Sequence, residues 1–367
     1  MKKVVIAGAN SFVASHFVHE LLGQGFYVVA LVRKSSDLSA AERMEKALVD
    51  TTLELPSQME NLKVLDYALN DVNFGISDAD LAQIFEDAVD YFHFAASLKF
   101  DFRSREEIFH TNIDGIRNAL QVFENFSSPH ARFFYISTAY SCGKMEGSFE
   151  EKFYPDDDIS SFRNYYEQSK RKAENVLRKF VEKNGISAHV IRLSQVVGNP
   201  QTGVTRTDYG IFDFARRIHA LSDQFPGQSI RILVDPDANQ NLIPINAVVQ
   251  DLVSLTRKDQ VPRILNFVAN IPVENYKIIQ TISDLLPIEL IPEKEINPEE
   301  MNELEKMVLS GMTFTGDYIN TDINFDTSMR DKVLNSNHRE VNDSGLHAML
   351  DYYLKNVRVH GNGSPKS

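Results

Sequence analysis

The sequence is poor in cysteine and in long hydrophobic runs. Its 367 residues contain one cysteine, Cys142, which excludes an intrachain disulfide and a cysteine-based zinc site. No window approaches about 18 uninterrupted apolar residues, so no transmembrane helix is predicted. The apolar stretch that follows Met1-Lys2-Lys3 is too short for a signal peptide. We therefore expect a cytoplasmic protein without a bound metal.

Positive charge is also scarce. The formal net charge is -13 and the sequence pI is about 5.3. Because a negative field repels polyanions, neither nucleic acid nor an anionic membrane is expected as the main partner. The hydrophobic fraction of 43% and the charged fraction of 24% are typical of folded proteins. The length predicts one large α/β domain with an appended lobe, or two domains.

Short apolar runs alternate with amphipathic stretches over the first 200 residues. The apolar runs predict strands at Val4–Ile6, Tyr27–Val32, Leu62–Leu65, Tyr91–Phe94, Phe133–Ile136 and Ala188–Ile191. The amphipathic stretches predict helices at Phe12–Leu22, Asn112–Phe126 and Tyr165–Lys183. Runs without alternation are typical of strands covered on both faces, and parallel strands need crossover connections. The fold class predicted is α/β, with a doubly wound parallel (Rossmann) sheet.

The pattern loosens after Gly198, which indicates a second, smaller substrate lobe. There we expect a helix at Ile211–Leu221, a strand at Ile230–Val234 and a helix starting near Glu299, with a last helix at Val341–Val357. The predicted domains are a nucleotide-binding domain at 1–200, which also receives a strand near 265–269, and a mixed α/β and helical lobe at 201–357. Residues 358–367 are expected to be a disordered tail.

The first predicted strand runs through Gly8 directly into a helix. This arrangement suits a dinucleotide, because a helix N-terminus offers free N–H groups and a positive dipole to a pyrophosphate. The candidate cofactor-binding residues of this turn are Gly8, Asn10, Ser11, Phe12 and Val13. A strand–turn–helix without a ligand is the alternative interpretation of the same residues.

The ends of the next two strands carry the other candidate nucleotide contacts. Arg33 and Lys34 follow the second strand, where an NAD site would carry an acidic residue for the ribose. A guanidinium there suits a 2′-phosphate, so NADP(H) is favoured over NAD(H), although both residues could be solvated loop charges. Asp66 ends the third strand, where it would meet the adenine edge or, alternatively, cap a helix, and the adjacent Tyr67 is a further candidate cofactor-binding residue.

Tyr166 and Lys170 form the strongest motif of the sequence. They are four residues apart at the start of a predicted helix, so they share one helix face. An adjacent ammonium favours the phenolate form, which makes the phenol useful as a proton donor near neutral pH. Thr138, at the end of the preceding strand, is the candidate hydroxyl for a substrate carbonyl. Its neighbour Ser137 would point to the opposite face of an extended chain.

Over roughly residues 1–285 the chain resembles the extended short-chain dehydrogenase/reductases. It is most similar to the branch that contains fatty acyl-CoA reductases and the thioester reductase domains of carboxylic acid reductases and peptide synthetases. The resemblance rests on His93-Phe94-Ala95-Ala96-Ser97, Thr111-Asn112-Ile113-Asp114-Gly115, Ile136-Ser137-Thr138-Ala139-Tyr140 and Tyr166-Glu167-Gln168-Ser169-Lys170. Asn73 to Ser77 and Phe325 to Ser328 are similar to the same branch.

The resemblance implies further roles. Tyr166 would donate the proton, Lys170 would hold the nicotinamide ribose, and Asn112 would support Lys170 through a water molecule. The cofactor would meet Ala95, Ala96 and Ser97, and the nicotinamide would meet Leu193, Gln195 and Val196. The resemblance also implies that a homodimer is possible.

Some residues depart from the family pattern. Ser11 and Ala14 stand where the phosphate turn usually has glycine, and Leu193 stands where proline is usual. The turn from Gly8 to His16 is also similar to that of the carbonyl-reducing relatives of dihydroflavonol reductase.

These observations lead to one main hypothesis, which is an NADP(H)-dependent reductase acting on a hydrophobic carbonyl compound. The expected substrate is an acyl thioester, brought by coenzyme A or a carrier protein and reduced to an aldehyde or alcohol. The alternatives are a ketone or aldehyde reductase with the same residues, a non-catalytic NADP-binding regulator, and a nucleotide-sugar epimerase that retains NAD.

Overall fold

The computed structural model describes residues 1–52, 54–311, 318, 323–335 and 339–357. The described chain divides into two compact units. The first is drawn from Met1–Ser194, Val248–Val268 and Ile323–Asn337, and the second from Gln195–Ala247, Ala269–Asp322 and the region after His338. The predicted tail at 358–367 lies outside the described residues. No described helix is both long enough and apolar enough to cross a bilayer.

A seven-stranded sheet forms the centre of the first unit. Its strands are β1 (Lys3–Ala7), β2 (Tyr27–Val32), β3 (Leu62–Asp66), β4 (Asp90–His93), β5 (Arg132–Thr138), β7 (Ser187–Leu193) and β12 (Ile264–Phe267); the short β6 (Ser148–Phe149) lies outside it. The strand order is β12-β7-β5-β4-β1-β2-β3, and every neighbouring pair is parallel. The chain order reverses beside β1, as in doubly wound nucleotide-binding sheets. The predicted fold class is thus confirmed.

Helices provide the crossovers that a parallel sheet needs. Those of the first unit are α1 (Phe12–Gly23), α2 (Ala40–Thr52), α3 (Asp78–Ile84), α4 (Arg105–Phe109), α5 (Gly115–Phe126), α6 (Tyr165–Asn184), α8 (Ile245–Thr256) and α11 (Ser328–Val333). A core of aliphatic and aromatic side chains from β1, β2, β4, β5 and β7 packs against α3, α5 and α6. Strands β1, β2, β4 and β5 are buried almost throughout, which explains their lack of polar alternation.

A buried ion pair ties helix α6 to the strands behind it. Arg192 of β7 donates from Nε to Glu174 Oε1 at 3.1 Å and from one terminal nitrogen to Oε2 at 2.7 Å. Both side chains are almost fully buried, at 0% and 1% exposure. Glu174 also accepts hydrogen bonds from the hydroxyls of Ser137 and Ser141, at 2.6 and 3.2 Å. The carboxylate therefore joins α6 to β7, to β5 and to the turn that follows β5.

The second unit is smaller, and its described strands form two-stranded sheets. Its strands are β8 (Gln195–Val197), β9 (Gln228–Leu233), β10 (Asn239–Gln240), β11 (Leu242–Pro244), β13 (Val273–Glu274) and β14 (Ile288–Glu293). Parallel pairs join β8 to β11 and β9 to β14, and an antiparallel pair joins β10 to β13. Its helices are α7 (Ile211–Gln224), α9 (Asn275–Leu285), α10 (Glu303–Gly311) and α12 (Asp343–Val357). Apolar residues of these elements form one core.

Three segments differ from the expectations. The helix predicted from Asn112 begins as a π-helical turn, His110–Asp114, before α5. The helix expected near Glu299 is a short 3-10 turn capped by Asn297, because Asn302 and Glu305 form a reciprocal cap that starts α10 later. Residues 323–335, predicted to lie in the substrate lobe, belong to the first unit, where β15 (Asn324–Phe325) pairs with β6.

We predict that Glu174→Ala lowers the free energy of unfolding by about 3–5 kcal/mol, because it leaves a buried guanidinium without its counter-charge. Urea unfolding measures the change. Glu303→Ala removes a carboxylate whose side chain is 90% exposed and should have little effect. Equal stabilities of the two variants would contradict this role of Glu174.

Candidate functional site

The turn after β1 brings the chain very close to the end of β4. Gly8 has a φ of +75°, and a Cβ atom placed there would lie 2.9 Å from the backbone nitrogen of Ala95 and 3.0 Å from its Cα. The Gly8 N–H donates to Leu31 O at 3.0 Å. Glycine is required both by the left-handed backbone and by this close approach. The predicted residues Gly8 and Ala95 are thus brought together.

The N-terminus of α1 follows this turn. Ser11 is the N-cap residue and is exposed, and its hydroxyl makes no capping hydrogen bond to the helix. The first turn of α1, which begins with Phe12 and Val13, contains no acidic residue. Its N–H groups and positive dipole therefore have no carboxylate of the same turn to satisfy them, and Asn10 lies half-buried beside them. The donors present fit a pyrophosphate, and a seryl hydroxyl adds one donor to that set.

The ends of β2 and β3 form a polar edge beside the turn. The backbone N–H of Lys34 donates to Asp66 Oδ1 at 3.0 Å, and its ammonium lies 3.1 Å from Oδ2. The backbone hydrogen bond from Lys34 is the main cause that lowers the pKa of Asp66. Arg33 is exposed, and its carbonyl accepts a hydrogen bond from the Arg43 guanidinium, so a second cation lies beside it. Tyr67 is buried.

Helix α6 carries the predicted catalytic pair. The side chain of Asn164 caps the helix by accepting from the N–H of Glu167 at 3.0 Å, which sets the first turn that contains Tyr166. Lys170 is almost fully buried, at 3% exposure. Its ammonium donates to Ile136 O at 2.9 Å and lies 5.8 Å from the centre of the Tyr166 ring. The lysine thus reaches from α6 to β5, two residues before Thr138.

Thr138 ends β5, and its hydroxyl both donates and accepts a hydrogen bond. Its Oγ1 donates to Leu193 O at 3.3 Å and accepts from the N–H of Tyr140 at 3.2 Å. Ser137, by contrast, donates to Glu174, as expected of a residue on the other side of the strand. The hydroxyl of Thr138 is therefore fixed at the end of β5, the strand whose Ile136 carbonyl binds the Lys170 ammonium.

Asn112 links the loop after β4 to α6. Its Oδ1 accepts from the backbone N–H of Ser97 at 2.7 Å, and its Nδ2 donates to Ser97 O at 3.2 Å and to Ser169 Oγ at 2.8 Å. Asn112 therefore contacts the residue that precedes Lys170 in the sequence, and it fixes the segment of Ala96 and Ser97. The expected water-mediated support of Lys170 remains a prediction.

The residues expected along the nicotinamide fall in both units. Leu193 is the last residue of β7 in the first unit, and its carbonyl accepts from Thr138. Gln195 and Val196 lie in β8 of the second unit and pair with Leu242 and Ile243. Their contact with a cofactor remains a prediction.

Sequence reasoning missed a column of aromatic residues behind Lys170. Its ammonium lies 4.9 Å from the centre of the Tyr135 ring, and the Tyr135 hydroxyl is buried with no hydrogen-bond partner among the described residues. The His93 ring lies tilted beside Tyr135, with ring centres 6.0 Å apart, and its Nδ1 lies 3.2 Å from the Tyr91 hydroxyl. The period of two along β5 places Tyr135 on the same face as Ser137, and this signal could have revealed it.

Burial dominates the electrostatics of this cluster. It lowers the pKa of Lys170 from 10.5 to about 7, and Glu174 opposes part of this shift. Burial, with a smaller contribution from Lys170, also lowers the pKa of His93 to about 3, so the imidazole is neutral near pH 7. The site can therefore hold one amine that changes its charge close to neutral pH.

The fold and these residues define a nicotinamide-binding α/β protein of the extended short-chain dehydrogenase/reductase class. The NAD-binding family model described as "Male sterility protein" matches residues 6–252. The chain belongs to this family, which confirms the resemblance seen in the sequence. The family is one of nicotinamide-dependent oxidoreductases.

Solved structures and curated relatives agree with this class. The terminal R domain of the myxalamid PKS-NRPS pathway aligns with a TM-score of 0.77 at 18% identity, covering 100% of this chain and 93% of that one. A thiolation-reductase di-domain from an archaeal non-ribosomal peptide synthetase also aligns at 0.77 and 18%, covering 98% and 76%. These likenesses show the fold.

A putative dihydroflavonol 4-reductase from Synechocystis sp. is 29% identical over 170 residues, which are 46% of this chain and 42% of the relative. The matches span 18%, 42% and 58% of the lengths of three curated relatives, so this chain spans less than two thirds of each.

We predict that Gly8→Ala destabilises the protein by about 1–3 kcal/mol and weakens binding of the dinucleotide, because the added methyl group meets the backbone of Ala95. Gly23→Ala is the matched control, since a Cβ atom placed there meets nothing within 4 Å and the backbone φ is ordinary. Urea unfolding and NADPH fluorescence titration measure the two effects. Gly8→Ala with wild-type stability and affinity would show that the close approach is dispensable.

The lowered pKa of Lys170 predicts a pH-dependent stability. The unfolded chain binds an extra proton between about pH 7 and 10.5, so the folding stability should rise with pH across this window. Lys170→Met removes this dependence. The free energy of unfolding of the variant, relative to that of the wild type, should therefore fall by an amount on the order of 3 kcal/mol from pH 7 to 10. Urea unfolding at several pH values tests this. The control is Lys179→Met, at an exposed lysine of the same helix, and parallel curves for wild type and Lys170→Met would refute the prediction.

Proposed function

We propose that this protein is an NADP(H)-dependent reductase of a carbonyl group carried by a hydrophobic substrate, with an acyl thioester as the favoured substrate. One observation carries the proposal. The buried Lys170 ammonium lies beside the Tyr166 ring and is held by the strand that ends at Thr138. A phenol, an amine and a hydroxyl in this arrangement suit proton delivery to a carbonyl oxygen.

In this proposal each group has a separate task. Tyr166 donates its proton to the substrate oxygen as negative charge develops there. Lys170 in its cationic form stabilises the phenolate that remains, and because burial lowers its pKa to about 7, the amine can also release a proton near neutral pH. Thr138 turns its hydroxyl toward the substrate oxygen and polarises the carbonyl.

The residues at the turn after β1 fit a dinucleotide. Gly8 permits close approach to Ala95, Ser11 offers an unused capping hydroxyl, and Arg33 suits a 2′-phosphate. Arg43, whose guanidinium lies at the carbonyl of Arg33, adds positive charge to this edge. When bound, the nicotinamide supplies the hydride that reduces the carbonyl carbon.

The acyl thioester is favoured by the kinds of protein that share the fold. The R domain and the thiolation-reductase di-domain align over nearly the whole chain. On a thioester, delivery of one hydride with loss of the thiol gives an aldehyde, and a second hydride gives an alcohol. Coenzyme A or a carrier protein would bring the acyl group.

A ketone or aldehyde reductase is the second candidate. It is supported by the similarity to the putative dihydroflavonol 4-reductase, whose identity of 29% exceeds that of the structural neighbours. The two candidates share the same proton donor and differ in the group attached to the carbonyl. Reduction of simple aldehydes together with no turnover of any acyl thioester would favour this second candidate.

We predict that Tyr166→Phe lowers kcat for reduction by at least about 10²-fold, a usual size for the loss of a general acid. The assay follows NADPH and, separately, NADH consumption with a panel of acyl-CoA esters and aldehydes, and the wild type should prefer NADPH. Tyr276→Phe, at a tyrosine that is 50% exposed in the second unit, should keep full activity. Undiminished turnover in Tyr166→Phe would remove the proposed mechanism, and bound NAD in the purified protein, seen by absorbance, would point to an epimerase.

A further inference from the structure

One loop carries exposed apolar side chains on both sides of a phenylalanine that packs on Tyr166. The chain contains 24 phenylalanines, and Phe102 is the only one among the described residues whose side chain is largely exposed, at 58%. Leu98, four residues earlier, is 43% exposed. Both lie between β4 and α4, in the segment that begins with the predicted cofactor residues Ala96 and Ser97. Exposed single apolar residues are common, so exposure alone does not mark a binding surface.

The loop is held in place by polar contacts at several points. Asn112 binds both backbone groups of Ser97, and the side chain of Asp101 accepts from the N–H of Arg103 at 3.0 Å. Between them, Lys99 pairs with Glu107 of α4 at 2.7 Å. These contacts fix the backbone of the loop, in which the apolar residues Leu98, Phe100 and Phe102 alternate with polar ones.

The aromatic residues of this loop pack on the two tyrosines that open α6. Phe100 meets Tyr166 edge to face, with ring centres 5.3 Å apart and an angle of 66°. Phe102 meets Tyr165 in the same way, at 5.3 Å and 68°. Such pairs favour one orientation of each ring. Phe100 therefore restricts the proton-donating phenol, while Phe102, two residues further along the loop, packs on the neighbouring Tyr165 and stays largely exposed.

We infer that Leu98 and Phe102 form a binding surface for the apolar chain of the substrate. The inference rests on the proposed function. A carbonyl oxygen that receives the Tyr166 proton lies at hydrogen-bond distance from the hydroxyl, so the chain attached to that carbonyl must begin beside this ring. Leu98 and Phe102 flank Phe100, which packs on this ring, and exposed apolar side chains gain free energy when an apolar group covers them. The surface therefore selects substrates with an extended hydrocarbon chain over short ones.

The absence of tryptophan from the chain permits a direct binding test. Phe102→Trp introduces a single fluorescent probe, and Val72→Trp places the matched control in another loop of the same unit at a residue that is 84% exposed. Both proteins are titrated with dodecanoyl-CoA, butanoyl-CoA and free coenzyme A, without reduced cofactor, so that no turnover occurs. We expect a saturable blue shift with dodecanoyl-CoA at position 102 only. No shift, or an equal shift with free coenzyme A, would overturn the inference.

A kinetic test separates this inference from the proposed function. Phe102→Ser should lower kcat/KM for dodecanoyl-CoA about tenfold and leave butanoyl-CoA within about twofold, while Val72→Ser should match the wild type for both; tenfold corresponds to about 1.4 kcal/mol of lost binding. Equal losses for both esters would overturn the chain-binding role. A wild type that reduces no acyl thioester would instead count against the proposed function, and the fluorescence titration would still report on the surface.

Discussion

Helix α6 carries an ammonium and a carboxylate into the protein interior one turn apart, and the candidate site depends on how these two charges are held. Glu174 is satisfied by the bidentate guanidinium of Arg192 and by two hydroxyls. Lys170 has a backbone carbonyl and aromatic faces around it. Since a buried charge without a partner is very costly, the position of Arg192 on β7 fixes α6, and α6 in turn fixes the proton donor.

The surroundings of Lys170 explain why its amine titrates near neutral pH. The groups that pack behind it, Tyr135, His93 and Tyr91, are neutral at pH 7, because burial raises the pKa of both phenols and lowers that of the imidazole. The Glu174 carboxylate favours the charged form of the Lys170 amine, but this carboxylate is already bound to Arg192. Tyr135 offers the ammonium the negative face of its ring, and its hydroxyl has no hydrogen-bond partner in the described part of the chain.

Much of the fold could be predicted from the sequence, because buried parallel strands have apolar runs and crossover helices have their own period. The Tyr166–Lys170 pair was likewise visible, since a spacing of four residues fixes two side chains on one helix face. Contacts between distant segments were not visible. No local pattern indicates that Asn112 binds Ser97, that the carboxylate of Glu174 faces Ser137, or that residues 323–335 return to the first unit.

The hydrogen bonds of Thr138 add a condition to the proposed chemistry. Its hydroxyl proton now lies toward Leu193 O, and a lone pair accepts from the N–H of Tyr140. Because a hydroxyl has only one proton, Thr138 can polarise a carbonyl only if that proton leaves Leu193. The bond from Tyr140 survives such a rotation, since the oxygen itself need not move. The 3.3 Å bond to Leu193 is long for a hydroxyl donor and so is a weak one to give up. The strand end thus fixes the oxygen and leaves the proton free to turn, which is what a carbonyl-polarising group requires.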